Sequence, residues 1–116
     1  MAVHTTTDDT ETLIVFVDCF VLSFETWDVL MYFAAHPDAP VGPDDLTESI
    51  GRRPADLAVA ALALADQGVL VPGPDGTWFL SEGREVREGL RVFARALGDP
   101  RRRLLAFTRL LENLSR

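Results

Sequence analysis

The sequence contains no lysine, so apart from two histidines every basic side chain is an arginine. That absence excludes a Schiff-base lysine, a phosphate-loop lysine and a lysine general base. Cysteine is nearly absent too. Cys19 stands alone, which leaves no intramolecular disulfide, no paired-cysteine redox motif and no cysteine zinc site. This usage fits a reducing, cytoplasmic setting. The longest apolar run, LIVFVDCFVLSF, carries Asp18 and is about half the length a membrane-spanning helix needs. It follows an acidic segment where an export signal has a basic one, so neither an anchor nor a leader is expected. Basic charge is outweighed overall: a net charge of -7 over 116 residues opposes generic attraction to phosphate backbones.

The charge that is present is unevenly placed. Met1 to Leu80 holds two arginines against thirteen acids, whereas Ser81 to Arg116 holds nine arginines against five. The chain is an acidic body with a basic C-terminal part. Its length and 47% hydrophobic content suit one domain with one core. Residues 1–12, polar and acidic, predict a flexible tail, and 13–116 a single domain.

Leu13 to Leu22 is ambiguous between strand and helix. The acids before it favour a helix start, and a helix there would be apolar nearly all round. Ser23 caps a helix with Phe24, Trp27, Leu30, Met31 and Ala34 on one face, stopping at His36 before Pro37. VGPDDLTESIG reads as a short helix with Leu46 and Ile50 inward and Gly51 closing it. Pro54 opens a helix that ends at Gln67 before Gly68. VLV and TWFL, joined by PGPDG, predict two short strands and a turn. Two C-terminal helices follow, 81–97 with Val86, Leu90, Phe93 and Leu97 inward, and 100–115 with Leu104, Phe107, Leu111 and Leu114 on one stripe. The fold class is mainly α with a small β-hairpin.

The stretches FETWDVLMYFAAHP, PDDLTESIG, RPADLAVAALALADQGVLV and GTWFL, in this order, resemble the winged helix-turn-helix superfamily, in particular small bacterial members. The resemblance covers a core at residues 23–80. It implies that the helix from Pro54 reads DNA while the hairpin, or wing, touches the backbone or minor groove.

The residues at those positions do not suit that task. At about 100° per residue, Leu57, Ala60, Ala61 and Leu64 share the inward face. The outward face then carries Ala55, Ala58, Val59, Leu62 and Asp66, none of which can make base-reading bidentate hydrogen bonds, and Asp66 would be repelled by phosphate. The wing segment Pro72 to Leu80 holds Asp75 and no basic residue. Two accounts of this helix are open: an apolar surface for a protein partner, or a face covered by the chain's own terminal helices. A DNA contact would have to come from Arg52, Arg53, Arg101, Arg102 and Arg103, which could equally meet an acidic partner.

Catalysis is not expected. His4 lies in the tail, and His36 reads as a helix cap. Asp44 and Asp45 read as partners of a helix dipole, Cys19 as an inert buried thiol, and Trp78 as a packing residue against the first core helix. Gly68, Gly73 and Gly76 lack phosphate-cradling spacing, so no cofactor or metal is expected. Arg84, Arg87, Arg91 and Arg95 form either a solvated face, with Glu88 between them, or a strip for an acidic surface. The sequence therefore points to a non-enzymatic regulator working through protein contacts, with a DNA-binding transcriptional regulator as the alternative. A homodimer is expected through Leu13, Phe16 and Phe20 with Leu104, Phe107 and Leu111, because one small core cannot cover two apolar terminal helices.

Overall fold

Helix begins earlier than the sequence predicts. The computed structural model describes residues 2–116, with side chains from Asp9 onward, and α1 spans Ala2–Phe20. Of the segment 1–12 expected to be flexible, Met1 lies outside the described residues and Ala2 to Thr12 are helical. Leu13, Phe16 and Val17 are buried, a spacing of three and four that belongs to a helix face and not to a strand. Two C-terminal helices, α5 (Arg84–Ala96) and α6 (Pro100–Leu114), cover that face.

α2 (Phe24–Ala35) is stopped at its start by a reciprocal cap. The Thr26 N–H donates to Ser23 Oγ at 3.1 Å, while Thr26 Oγ1 accepts from the N–H groups of Ser23 and Leu22 at 2.8 and 2.9 Å. Thr26 Oγ1 also donates to the Ser23 carbonyl at 2.8 Å. Thr26 is thus buried with its polar capacity used. The fully buried apolar face of α2 is Val29, Leu30 and Phe33. Of the expected set, Phe24, Trp27, Met31 and Ala34 are only half-buried, because α2 is apolar on several sides and α4 and α5 choose the one that is covered.

α3 (Pro43–Ile50) is capped by Asp45, whose carboxylate accepts from the Gly42 N–H at 2.9 Å, and closed by Gly51 at φ 78°. α4 (Pro54–Asp66) runs into Gly68, also left-handed at φ 80°. β1 (Leu70–Pro72) and β2 (Trp78–Leu80) pair antiparallel, Leu70 opposite Leu80 and Val71 opposite Phe79. Alternation puts the first pair in the core and the second outside. A short 3-10 turn at Pro74–Gly76 joins them, with Asp75 itself at φ 56°. Val41 adds an unforeseen bridge to β2: it exchanges two backbone hydrogen bonds with Trp78, at 2.8 and 2.9 Å. The flanking prolines, Pro40 and Pro43, hold this segment extended.

The molecule is therefore mainly helical with one small hairpin, as expected. Ser81 does not cap α5; the helix starts at Arg84, and Ser81 Oγ accepts from the Gly83 N–H at 3.0 Å. Phe93 lies at the meeting of α1, α2 and α5, its ring 5.3 Å from Phe16 and 5.1 Å from Trp27. Among the described residues no helix is long and apolar enough to cross a membrane.

An ion pair ties the two terminal helices. Arg109 Nε and Nη2 donate to the two Asp18 oxygens at 2.7 and 2.8 Å, and Asn113 Nδ2 donates to one of them at 2.9 Å. These donors favour the carboxylate and lower the Asp18 pKa from 3.8 to about 2. A depressed carboxyl stabilises the fold at all pH values above its unfolded pKa, and that contribution fades as pH falls through the folded value. Asp18→Asn should therefore show a lower urea midpoint than the parent from pH 7 to pH 5, with the gap closing between pH 3.8 and about 2. A gap that stayed constant to pH 2 would mean that Asp18 is not the group responsible.

Candidate protein-contact surface

α4 divides into two faces along the lines its sequence predicts. Leu57, Ala60, Ala61 and Leu64 are buried against α2, α3 and β1. Ala55, Ala58, Val59, Leu62 and Asp66 are exposed, Val59 at 68% and Leu62 at 56%. The terminal helices do not cover this face, so the self-covering account is not what the fold adopts. Proline at the first turn and small side chains along the helix keep the face flat: Ala55, Ala58 and Ala63 carry only methyl groups between the two large ones. Ala63 is half-buried, in a shallow depression shared with Leu22, Val59 and Arg53.

The electrostatics around α4 oppose an anionic ligand. Arg52 donates through Nε to Asp28 at 2.6 Å and through Nη1 to Glu25 at 3.1 Å. Two carboxylates hold it, raising its already high pKa, chiefly through the Asp28 hydrogen bond. A phosphate would have to displace both. Arg53 is far more exposed yet lies 2.9 Å from Asp56 in its own first turn. The hairpin adds Asp75 and no cation.

The C-terminal arginines lie on α6, where Arg103 lines one depression together with Asp28, the carboxylate that holds Arg52. Arg101 and Arg103 are exposed, and among the described residues their side chains make no ion pair; Arg102 is 3.8 Å from Asp99. All three sit in the first turn of α6, far along the chain from α4. In α5, Arg87 is pinned to Asp38 and to the carbonyls of Pro37 and Ser81. Arg91 pairs with Glu88 at 2.7 Å, and Arg95 is 3.9 Å from Asp9. The strip is thus largely engaged within the chain, with Glu88 paired to Arg91 and not to Arg84.

The residues expected at a dimer interface separate into two groups. Leu13 and Phe16 are buried inside the chain, Phe16 against the rings of Phe20 and Phe93. They are core residues, because α5 and α6 pack on α1 from within one molecule. Leu104, Phe107 and Leu111 are exposed, as is Leu114. α6 turns a different face inward, Ala106 and Leu110.

Cys19 corrects another expectation: it is exposed. Val15, four residues earlier on the same side of α1, is exposed at 59%, so the apolar run has one solvent face despite containing almost no polar residues. A cleft of about 560 Å³ lies there between α1 and α5, above Gly89. Trp78 is half-buried, packed at the edge of the core. No group of three or more metal-ligating side chains occurs among the described residues. No family model matches the chain, and no curated protein and no solved structure matches it either.

Proposed function

We propose that this is a non-enzymatic winged-helix regulatory protein of the cytoplasm that acts chiefly through protein contacts, as a homodimer or docked on another protein. The reading rests most on α4. The helix that would face DNA in a winged domain presents exposed Val59 and Leu62 among alanines, and of the two arginines before it Arg52 is held by two carboxylates while Arg53 pairs with Asp56. Burying such a face against protein removes apolar surface from water, whereas placing it in a groove gains no hydrogen bond to a base edge. The extended Val41 segment beside β2 supports the winged-helix assignment, because it widens the hairpin into a three-segment sheet at the foot of α3 and α4.

A DNA-binding transcriptional regulator is the second reading, favoured by the exposure of Arg53 together with Arg101 and Arg103. A gel shift separates the two. At about 0.15 M salt the protein should bind random duplex DNA weakly, with a salt dependence far shallower than the six to ten phosphate contacts of a typical binder produce. Submicromolar affinity that falls by orders of magnitude with added salt, and that is lost in Arg53→Ala, would replace the protein-contact reading with the DNA one.

A further inference from the structure

We infer that α6 is a self-association helix whose exposed stripe packs antiparallel against the same stripe of a second copy of this chain. The inference rests on the protein-contact reading and deepens it by naming the surface and its occupant.

α6 has two apolar faces. Ala106 and Leu110 are spent on α1. Leu104, Phe107, Leu111 and Leu114 point elsewhere and stay 65, 40, 43 and 47% exposed. Their spacing of three, four and three is the alternation by which two helices bury a mutual seam. A solitary helix gains nothing from that regularity, since α1 has already been covered by the other face. The stripe is also held in place: the Phe107 ring lies 5.6 Å from Phe24 and 6.3 Å from Trp27. A partner therefore meets a preformed ridge, with little ordering left to do.

Charge then selects a second copy and its direction. At about 100° per residue Arg101, Thr108 and Glu112 lie along one flank of the stripe. Neither Arg101 nor Glu112 has an ion-pair partner among the described residues. In a parallel copy the two-fold axis runs along the helices and turns the partner's equivalent flank to the other side of the seam, so Arg101 and Glu112 of the two copies do not face each other. An antiparallel copy sets Arg101 toward Glu112 at both ends of the seam, as two-fold symmetry requires. The same direction relieves the helix dipole, because three arginines crowd the positive end of α6 and the partner's negative end would lie beside them.

Sedimentation equilibrium of the full chain tests the inference. The mass should approach twice 12.8 kDa at micromolar concentration, and Leu104→Glu and Leu111→Glu should each return it to the monomer value with helical circular dichroism unchanged, both positions being exposed. Arg101→Glu and Glu112→Arg should each weaken association by about tenfold, because symmetry reverses two pairs at once, and the double variant should restore it. A monomer at every concentration overturns the inference, as does a dimer indifferent to both leucine variants. A charge swap without restoration overturns the antiparallel arrangement. Failure of the wider reading looks different: tight, salt-sensitive DNA binding would defeat the protein-contact reading whatever the mass.

Discussion

Phe93→Ala should lower the free energy of unfolding by roughly 3–5 kcal/mol, the range for truncating a fully buried aromatic side chain. The ring is wholly shielded from solvent and touches two others, Phe16 from α1 and Trp27 from α2, the latter edge-on with the rings 77° apart. Removing it would open a void where three helices meet, and the neighbours cannot close it without leaving their own contacts. Against a total stability of about 5–15 kcal/mol for a domain, this is enough to unfold a measurable fraction at physiological temperature. Urea denaturation followed by circular dichroism gives the difference directly. A loss under about 1 kcal/mol would mean that the ring does not occupy the centre of the core.

Gly89→Ala should also destabilise, although alanine is the better helix former by about 1 kcal/mol. A Cβ at position 89 would lie 2.7 Å from Phe16 Cδ1. Phe16 cannot retreat, because the Phe20 and Phe93 rings stand 5.1 and 5.3 Å from it. Overpacking of this kind costs about 1–3 kcal/mol and occasionally more, so the steric term outweighs the propensity gain and a net loss of up to about 2 kcal/mol is expected. Thermal melts of the variant and its parent decide the sign. A raised melting temperature would show that α1 and α5 can part at no cost, and would remove Gly89 as the reason they approach so closely.

How much of this could be read from the sequence depended on how asymmetric each helix is. α4 was legible on both faces, because Pro54 and Gly68 mark its ends and large and small apolar residues alternate cleanly around it. α2 was legible as a helix but not in its orientation. Tyr32, Phe33 and Met31 are neighbours of similar hydrophobicity, and only the positions of α4 and α5 decide that Val29 and Phe33 go in. α1 misled in a similar way: with Asp18 as the one charge in its apolar stretch, nothing local distinguishes Cys19, which is exposed, from Val17, which is buried. The hairpin was legible from its glycines and prolines, whereas the Val41 bridge was not, since one residue paired across the chain leaves no periodicity. The largest shortfall concerns charge. Arg52 was a candidate phosphate ligand until the fold brought Glu25 and Asp28 to it across more than twenty residues of chain. Sequence gives the count of charges, while pairing over that distance is a property of packing. For the same reason the α6 stripe was recognised, but the assignment of Leu13 and Phe16 to an interface with it was not sustained.

The clamp between Asp18 and Arg109 has a kinetic side. Its partners are 91 positions apart, and closing a loop of that length costs on the order of 4 kcal/mol of chain entropy. One partly solvated ion pair contributes far less than that. The pair therefore cannot nucleate folding; it closes only after α2 to α5 have drawn the two ends of the chain together. A contact that forms after the transition state governs the escape rate from the native state and leaves the approach to it unchanged. In Asp18→Asn, then, refolding should keep its parental rate while unfolding quickens, so that the clamp acts as a latch on the lifetime of the folded molecule.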